Sequence, residues 1–258
     1  MDTESNREVK YTLEYVVVAG YTGLFCILAL ACLGLVYLNR SLFIPSSTPE
    51  NEFAKNLPPI TPTPHVSSDN PFESNSILFE DNFSNNTNDW LNSQDETKEK
   101  LQSGQLFFQA RYDGEYAIIS CEYCPYLTTP YYLEASLSTN IATNEEYGIV
   151  FNRSYTLDNY YLFMVNPESM KYFLFHRTPE EWTLRASGVS DQIQPHPGRT
   201  TLGVYADKDL LELYINGVIV DSYVETGSSF HPGFFGIYIN NSWFGVYVDD
   251  IVIYEIGE

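Results

Sequence analysis

Apolar and polar positions alternate along most of the chain beyond residue 76. Leu211, Leu213 and Ile215 share one phase within LLELYI, as do Ile237 and Ile239 within GFFGIYI, and Val246 and Val248 within FGVYVDDIVIYEI. A period of two places such side chains on one face of a strand. Thirteen segments are predicted as strands on this basis, beginning at Ile77, Gln105, Tyr116, Tyr131, Tyr147, Tyr160, Lys171, Glu181, Thr200, Leu210, Val218, Gly233 and Phe244. Each is short, rich in β-branched or aromatic residues, and bounded by Gly, Pro, Asn or Asp. No segment carries the 3.6-residue period of an amphipathic helix, so residues 77–258 are expected to form an all-β, mostly antiparallel two-sheet sandwich. Asn216-Gly217 between LELYI and VIVDSYV supplies the two positive-φ positions of a type I′ hairpin.

The amino end follows another pattern. Between Glu14 and Arg40 the chain runs for 25 residues without a charge, about 37 Å as a helix against a hydrocarbon core of roughly 30 Å. A single transmembrane signal anchor is expected over 15–39, with Val16 to Leu38 crossing the bilayer. The competing reading is a cleaved signal peptide ending at Ala29-Leu30-Ala31, but the apolar run continues past that site to Leu38. Arg7 and Lys10 before the run, against Arg40 after it, favour a cytoplasmic tail over 1–14 and an extracytoplasmic carboxyl-terminal domain. From 40 to 76 the composition changes to a linker rich in Pro, Ser and Thr, where half of the fourteen prolines fall. It is expected to be disordered, because such a composition cannot bury a core.

Composition then narrows the partners. The 34 acidic and 13 basic residues give a formal charge of −21. That balance leaves no phosphate-neutralising patch, and nucleic acid is excluded as a partner. The lipid bilayer enters only through the amino-terminal helix. Aromatic residues make up 16% of the chain, 21 of them Tyr, enough to build a core and a binding surface besides. Tyr205, Tyr214, Tyr238 and Tyr247 lie in the phase opposite the Leu/Ile/Val positions of their strands. They either pair across strands to stabilise a sheet or form an outer stripe on which sugar rings stack. On the second reading Tyr205, Tyr214, Tyr238 and Trp243 are the ligand-binding candidates.

Four strings together resemble the concanavalin A-like, or laminin G-like, jelly-roll superfamily: LFEDNFSNN followed by Trp90, EYGIVFN followed by YYLFMV, the hairpin LELYINGVIV, and the closing VDDIVIYE. The tyrosine-rich YGIVF strand is most similar to the 3-keto-disaccharide hydrolase-like branch. The resemblance implies a jelly roll and a ligand that is a glycan or a surface protein, with a hydrolase or a protein-interaction or sensory ectodomain as alternatives. It also implies a structural Ca²⁺ held by Asp249 of the last strand and by Asp81, or Glu80, of the first; the other reading is that Asp249 and Asp250 simply alternate faces at a sheet edge.

Catalytic chemistry finds little support. Laminarinase-like members of that superfamily carry E-x-D-x-x-E along one strand, and Asp207-Lys208-Asp209-Leu210-Leu211-Glu212 follows its outline without the first Glu. Asp207 to Asp209 is expected in a turn, where a retaining pair about 5 to 5.5 Å apart cannot form in a cleft. No catalytic residue is assigned, and the expectation leans away from an enzyme. Cys121 and Cys124 lack the further ligands of a zinc site and are expected to form a disulfide on an exported domain. Asn82, Asn85, Asn152 and Asn240 begin N-x-S/T sequons.

Overall fold

The computed structural model describes residues 72, 75–91, 97–111, 116–128, 130–156, 158–226, 230–241 and 243–257. The expected membrane helix over 15–39, and the expected linker up to residue 71, lie outside the described residues. No helix among the described residues is long and apolar enough to cross a membrane.

The described residues form strands β1 (Ser76–Asp81), β2 (Thr97–Gln102), β3 (Gln105–Ala110), β4 (Ala117–Ile119), β5 (Tyr131–Thr139), β6 (Tyr147–Arg153) and β7 (Tyr160–Asn166). They continue with β8 (Lys171–Arg177), β9 (Trp182–Val189), β10 (Thr200–Asp207), β11 (Leu210–Ile215), β12 (Val218–Val224), β13 (Phe234–Ile239) and β14 (Val246–Glu255). Every predicted strand is present. The additional one, β2, reads TKEKLQ and borders the eight-stranded sheet. Its exposed Lys98 and Lys100 suit an edge, where charge discourages pairing with another chain.

All pairings are antiparallel and build two sheets, one in the order β12-β11-β10-β5-β14-β3-β2 and one in the order β4-β13-β6-β7-β8-β9. Strand β14 is long enough to serve two partners on one side: Val246 to Val248 pair with β3, and Ile251 to Glu255 with β1. The register shifts between Val248 and Ile251, so Asp249 and Asp250 sit at a bulge. That extra residue resets the alternation. Val246 and Val248 face the core before it, and Ile251 and Ile253 after it, leaving Val252 and Tyr254 on the outer face.

The core between the sheets holds Trp90, Phe83, Phe108, Phe151, Phe163, Phe235 and Phe244, none more than 1% exposed. Each such ring contributes about 1.5–3 kcal/mol on burial. Trp90 and Phe83 come from the connection after β1 rather than from a strand, and they close one part of the core. The Asn216-Gly217 hairpin has positive φ at both residues, as predicted. Cys121 and Cys124 form a disulfide with a Cα separation of 5.2 Å, packed against the core.

Candidate functional site

The predicted tyrosine stripe is divided between the two sheets. Tyr205 on β10 and Tyr214 on β11 share the outer face of the eight-stranded sheet with Tyr132 and Tyr254, whereas Tyr238 on β13 belongs to the outer face of the six-stranded sheet. Tyr247 is also on the eight-stranded sheet, against its cross-strand partner Phe107. Alternation reveals whether a side chain faces the core, but not which of two sheets carries its strand. Trp243 lies on neither face. It lies in the β13–β14 connection beside Phe244 and lines a cavity of ≈ 330 Å³ with Thr143, Asn144, Glu168 and His196. The four predicted ligand residues therefore occupy three places.

On the eight-stranded sheet the aromatic patch is covered by the chain itself. The Phe72 ring stacks on Tyr132 at 4.2 Å and on Tyr205 at 5.4 Å, and meets Tyr214 edge-on at 5.8 Å. Tyr132 consequently is buried although it points away from the core. Its hydroxyl donates to Glu134 Oε2, and the Tyr214 hydroxyl to Glu212 Oε2 at 2.7 Å. Burial first, and then the neighbouring carboxylates, hold both phenols well above their ordinary range. A sugar could stack here only by displacing Phe72.

The six-stranded sheet presents a different surface. Tyr160, Leu162, Val150 and Tyr238 form a buried apolar floor, with Ile118, Met164 and Phe175 packed beside them. Over it stand two rings that keep substantial exposure, Tyr116 at 48% and Trp182 at 39%. Tyr116 is stacked on Tyr238 at 5.8 Å and edge-on to Trp182 at 6.0 Å; Trp182 also meets Tyr160 and Phe175 edge-on. The Arg177 guanidinium covers the Trp182 ring at 5.6 Å, a cation–π contact that fixes the indole. Polar groups border this face. The Tyr238 hydroxyl donates to Asn240 Oδ1, whose amide donates to Glu146 at 2.8 Å and Glu145 at 3.3 Å. Arg153 places one guanidinium nitrogen 3.4 Å from Ser120 Oγ, while its buried Nε has no acceptor. Tyr116, Tyr160 and Trp182 escaped the sequence reading because each was indistinguishable there from ordinary strand-forming aromatics. Register brings them together: Tyr160 pairs with Arg177, and Arg177 with Trp182.

The residues expected to hold calcium have protein partners instead. Asp81 Oδ1 accepts the Phe83 backbone N–H at 2.8 Å, and Oδ2 accepts both Asn88 Nδ2 and Trp90 Nε1 at 2.8 Å. Asp249 accepts Gln105 Nε2 at 3.0 Å and is ion-paired to Arg199. Glu80 is exposed on the opposite side of β1 from the buried Asp81. Calcium requires free oxygens from several ligands, and these carboxylates do not fit that need. Among the described residues, no group of three or more His, Cys, Asp or Glu is placed to hold a metal ion. Of the segment expected in a turn, Asp207 instead ends β10, paired with Leu210, and Lys208-Asp209 make the turn, while Glu212 receives the Tyr214 hydroxyl.

Compared by sequence, the chain matches no family model and no curated protein. Compared by structure, it is similar to a Bacillus subtilis protein of unknown function with a galectin-like fold, at 13% identity and a TM-score of 0.55, over 69% of this chain and 96% of that one. A structure described with endo-acting O-glycanases of the human gut microbiota is 12% identical with a TM-score of 0.53, over 70% of this chain and 100% of that one. LamAcat from Zobellia galactanivorans is 8% identical with a TM-score of 0.50, over 72% and 99%. The narrower keto-disaccharide hydrolase likeness has no counterpart among these three. At such identities the agreement is one of fold alone, an antiparallel sandwich of two sheets.

Proposed function

We propose that this domain binds carbohydrate on the outer face of its six-stranded sheet. The observation that carries the proposal is the pair of half-exposed rings, Tyr116 and Trp182, standing over a buried aromatic floor with Arg177 and Asn240 beside them. Sugar rings stack their C–H faces on such aromatics while amide and guanidinium groups bond the hydroxyls. The galectin-like fold of the Bacillus subtilis neighbour and the O-glycanase description of another add support at the level of fold. A hydrolase would need two carboxylates over this face; Glu145 and Glu146 border it, and both accept from the Asn240 amide. A protein partner or sensory ligand on this face is the other outcome of the same test.

Binding of the full chain to a glycan array identifies ligands, and Trp182→Ala then reduces affinity about tenfold or more, while Trp182→Phe retains much of it. Unchanged binding by a folded Trp182→Ala protein removes this face as the site. A membrane anchor over residues 16–38 carries the domain outside the cytoplasm in this proposal. The uncharged run supports that reading, and so does the Cys121–Cys124 disulfide, which suits an oxidising compartment. Protease added to intact cells releases the domain; protection until lysis refutes the topology.

A further inference from the structure

A second cavity lies where the β6–β7 connection meets the segment leading into β13, remote from the Trp243 loop. Its volume is ≈ 360 Å³, and Asn152, Tyr155, Tyr161, His176, Phe230 and His231 contribute to its wall. That is the small end of the roughly 300–1,000 Å³ occupied by ligand pockets, suited to one or two sugar rings rather than a passing chain. Among the described residues that line it there is no Asp, Glu, Lys or Arg.

The wall is held in one arrangement. His176 stacks on Tyr161 at 4.3 Å with rings nearly parallel, and Phe230 meets Tyr161 edge-on at 5.1 Å. Arg185 can only donate, so His176 Nδ1 accepts from it at 3.2 Å and Nε2 carries the proton donated to Asn159 Oδ1 at 3.0 Å. His176 is thereby neutral, and burial followed by the Arg185 charge lowers its pKa. Behind this layer Glu225 accepts the Tyr161 hydroxyl at 2.6 Å and the Tyr223 hydroxyl at 3.2 Å, and pairs with Arg185 at 3.9 Å.

Asn152 is the independent indication of a ligand. It sits at a β-bulge with φ 52° and is only 5% exposed, so its sequon offers no surface amide for glycosylation. Its Oδ1 accepts the Tyr131 hydroxyl at 2.7 Å, yet its Nδ2 has no acceptor. Buried amide donors are seldom left unpaired, because desolvation without a partner costs free energy.

We infer that this cavity is a second binding site, which receives the neutral terminal ring of a glycan, an oxygen of that ring accepting from Asn152 Nδ2 while its C–H face lies against Tyr155 and Phe230. The choice of ligand class rests on the carbohydrate reading above; the site itself rests on the cavity and Asn152. The full chain is titrated with the methyl glycosides of glucose, galactose, mannose and N-acetylglucosamine while the His176 and His231 imidazole signals are followed by NMR. One glycoside shifts both signals saturably. Tyr155→Ala, at a side chain 84% exposed and so removable without unfolding, weakens that binding about tenfold. Asn152→Asp, which keeps the acceptor for Tyr131 and removes the donor, weakens it as much, and Trp182→Ala leaves it unchanged. Absence of any imidazole shift, or shifts indifferent to Tyr155→Ala and Asn152→Asp, overturns the pocket. On the array the two sites separate: binding lost only in Trp182→Ala overturns the pocket alone, binding lost only in Tyr155→Ala overturns the sheet face alone, and binding lost in neither overturns both.

Discussion

Both carboxylate oxygens of Asp81 are taken by donors from the loop that follows it, and this is how Trp90 comes to plug the core with its indole nitrogen satisfied. An acidic residue in a strand-ending FEDNF string looks the same in sequence whether it awaits a cation or a set of N–H groups. Removing the carboxylate with Asp81→Ala strands a buried indole N–H and a backbone N–H, and is expected to cost about 3 kcal/mol in urea denaturation. Chelator and added Ca²⁺ are expected to give the same melting temperature; a rise with Ca²⁺ would show that the Asp81 and Asp249 carboxylates exchange their protein partners for an ion. His176 makes a pH prediction. Burial and Arg185 lower its folded pKa, with Glu225 opposing and His231 adding to the lowering, so as pH falls through the ordinary histidine range the unfolded chain binds the proton first. Its contribution to stability is complete above that range and is lost as pH falls through it. Between about pH 7.5 and 5 the melting temperature should fall more for the native chain than for His176→Asn. Parallel pH curves would contradict the assignment.

Strands were legible because short-range chemistry writes them. Asn216-Gly217 has the positive φ that only such a pair adopts readily, with Asn216 Oδ1 also receiving the Thr201 N–H at 2.7 Å. The bulge in β14 was not legible in VYVDDIVIYE, because the run after Asp249-Asp250 is apolar in both phases; nor do these residues lie at a sheet edge, since β14 runs between β5 and β3. β2 was missed because an edge strand carrying Lys, Glu and Gln loses the hydrophobic alternation that identifies its neighbours. Sheet membership was illegible for a different reason: it depends on pairings between distant segments, such as β5 with β14 and β10. The predicted stripe therefore joined Tyr205 to Tyr238 across two sheets. Close approach is similarly hidden. Gly233 pairs with Leu127 through two backbone hydrogen bonds, and a Cβ there would lie 2.4 Å from the Asn152 carbonyl carbon and 2.5 Å from the Arg153 nitrogen. Gly233→Ala must push the β6 bulge aside, with an expected loss of about 1–3 kcal/mol by chemical denaturation. A neutral effect would mean that the Asn152 wall of the cavity yields easily.

The net charge of −21 acts on the whole molecule, and its consequence for a ligand depends on the ligand's own charge. Two guanidinium groups beside the outer face of the six-stranded sheet are local exceptions: Arg177 is turned onto Trp182, and Arg153 is partly buried near Tyr160, Tyr116 and Asp158. Neither forms an open basic track, so the field of the carboxylates governs approach from a distance. A neutral glycan has no net charge for that field to repel, and stacking and hydrogen bonding act at contact, inside the screening length of about 10 Å at 0.1 M salt. Its dissociation constant should therefore change by less than about twofold between low and physiological salt. A sulfated form of the same glycan must approach against like charge. It should bind more weakly at low salt and recover as salt rises, because screening relieves repulsion. Calorimetry on this pair of ligands across a salt series decides the matter. Tighter binding of the sulfated form at low salt would mean that Arg153 and Arg177 set the field at the site, and that the aromatic face selects anionic sugars despite the acidity of the chain.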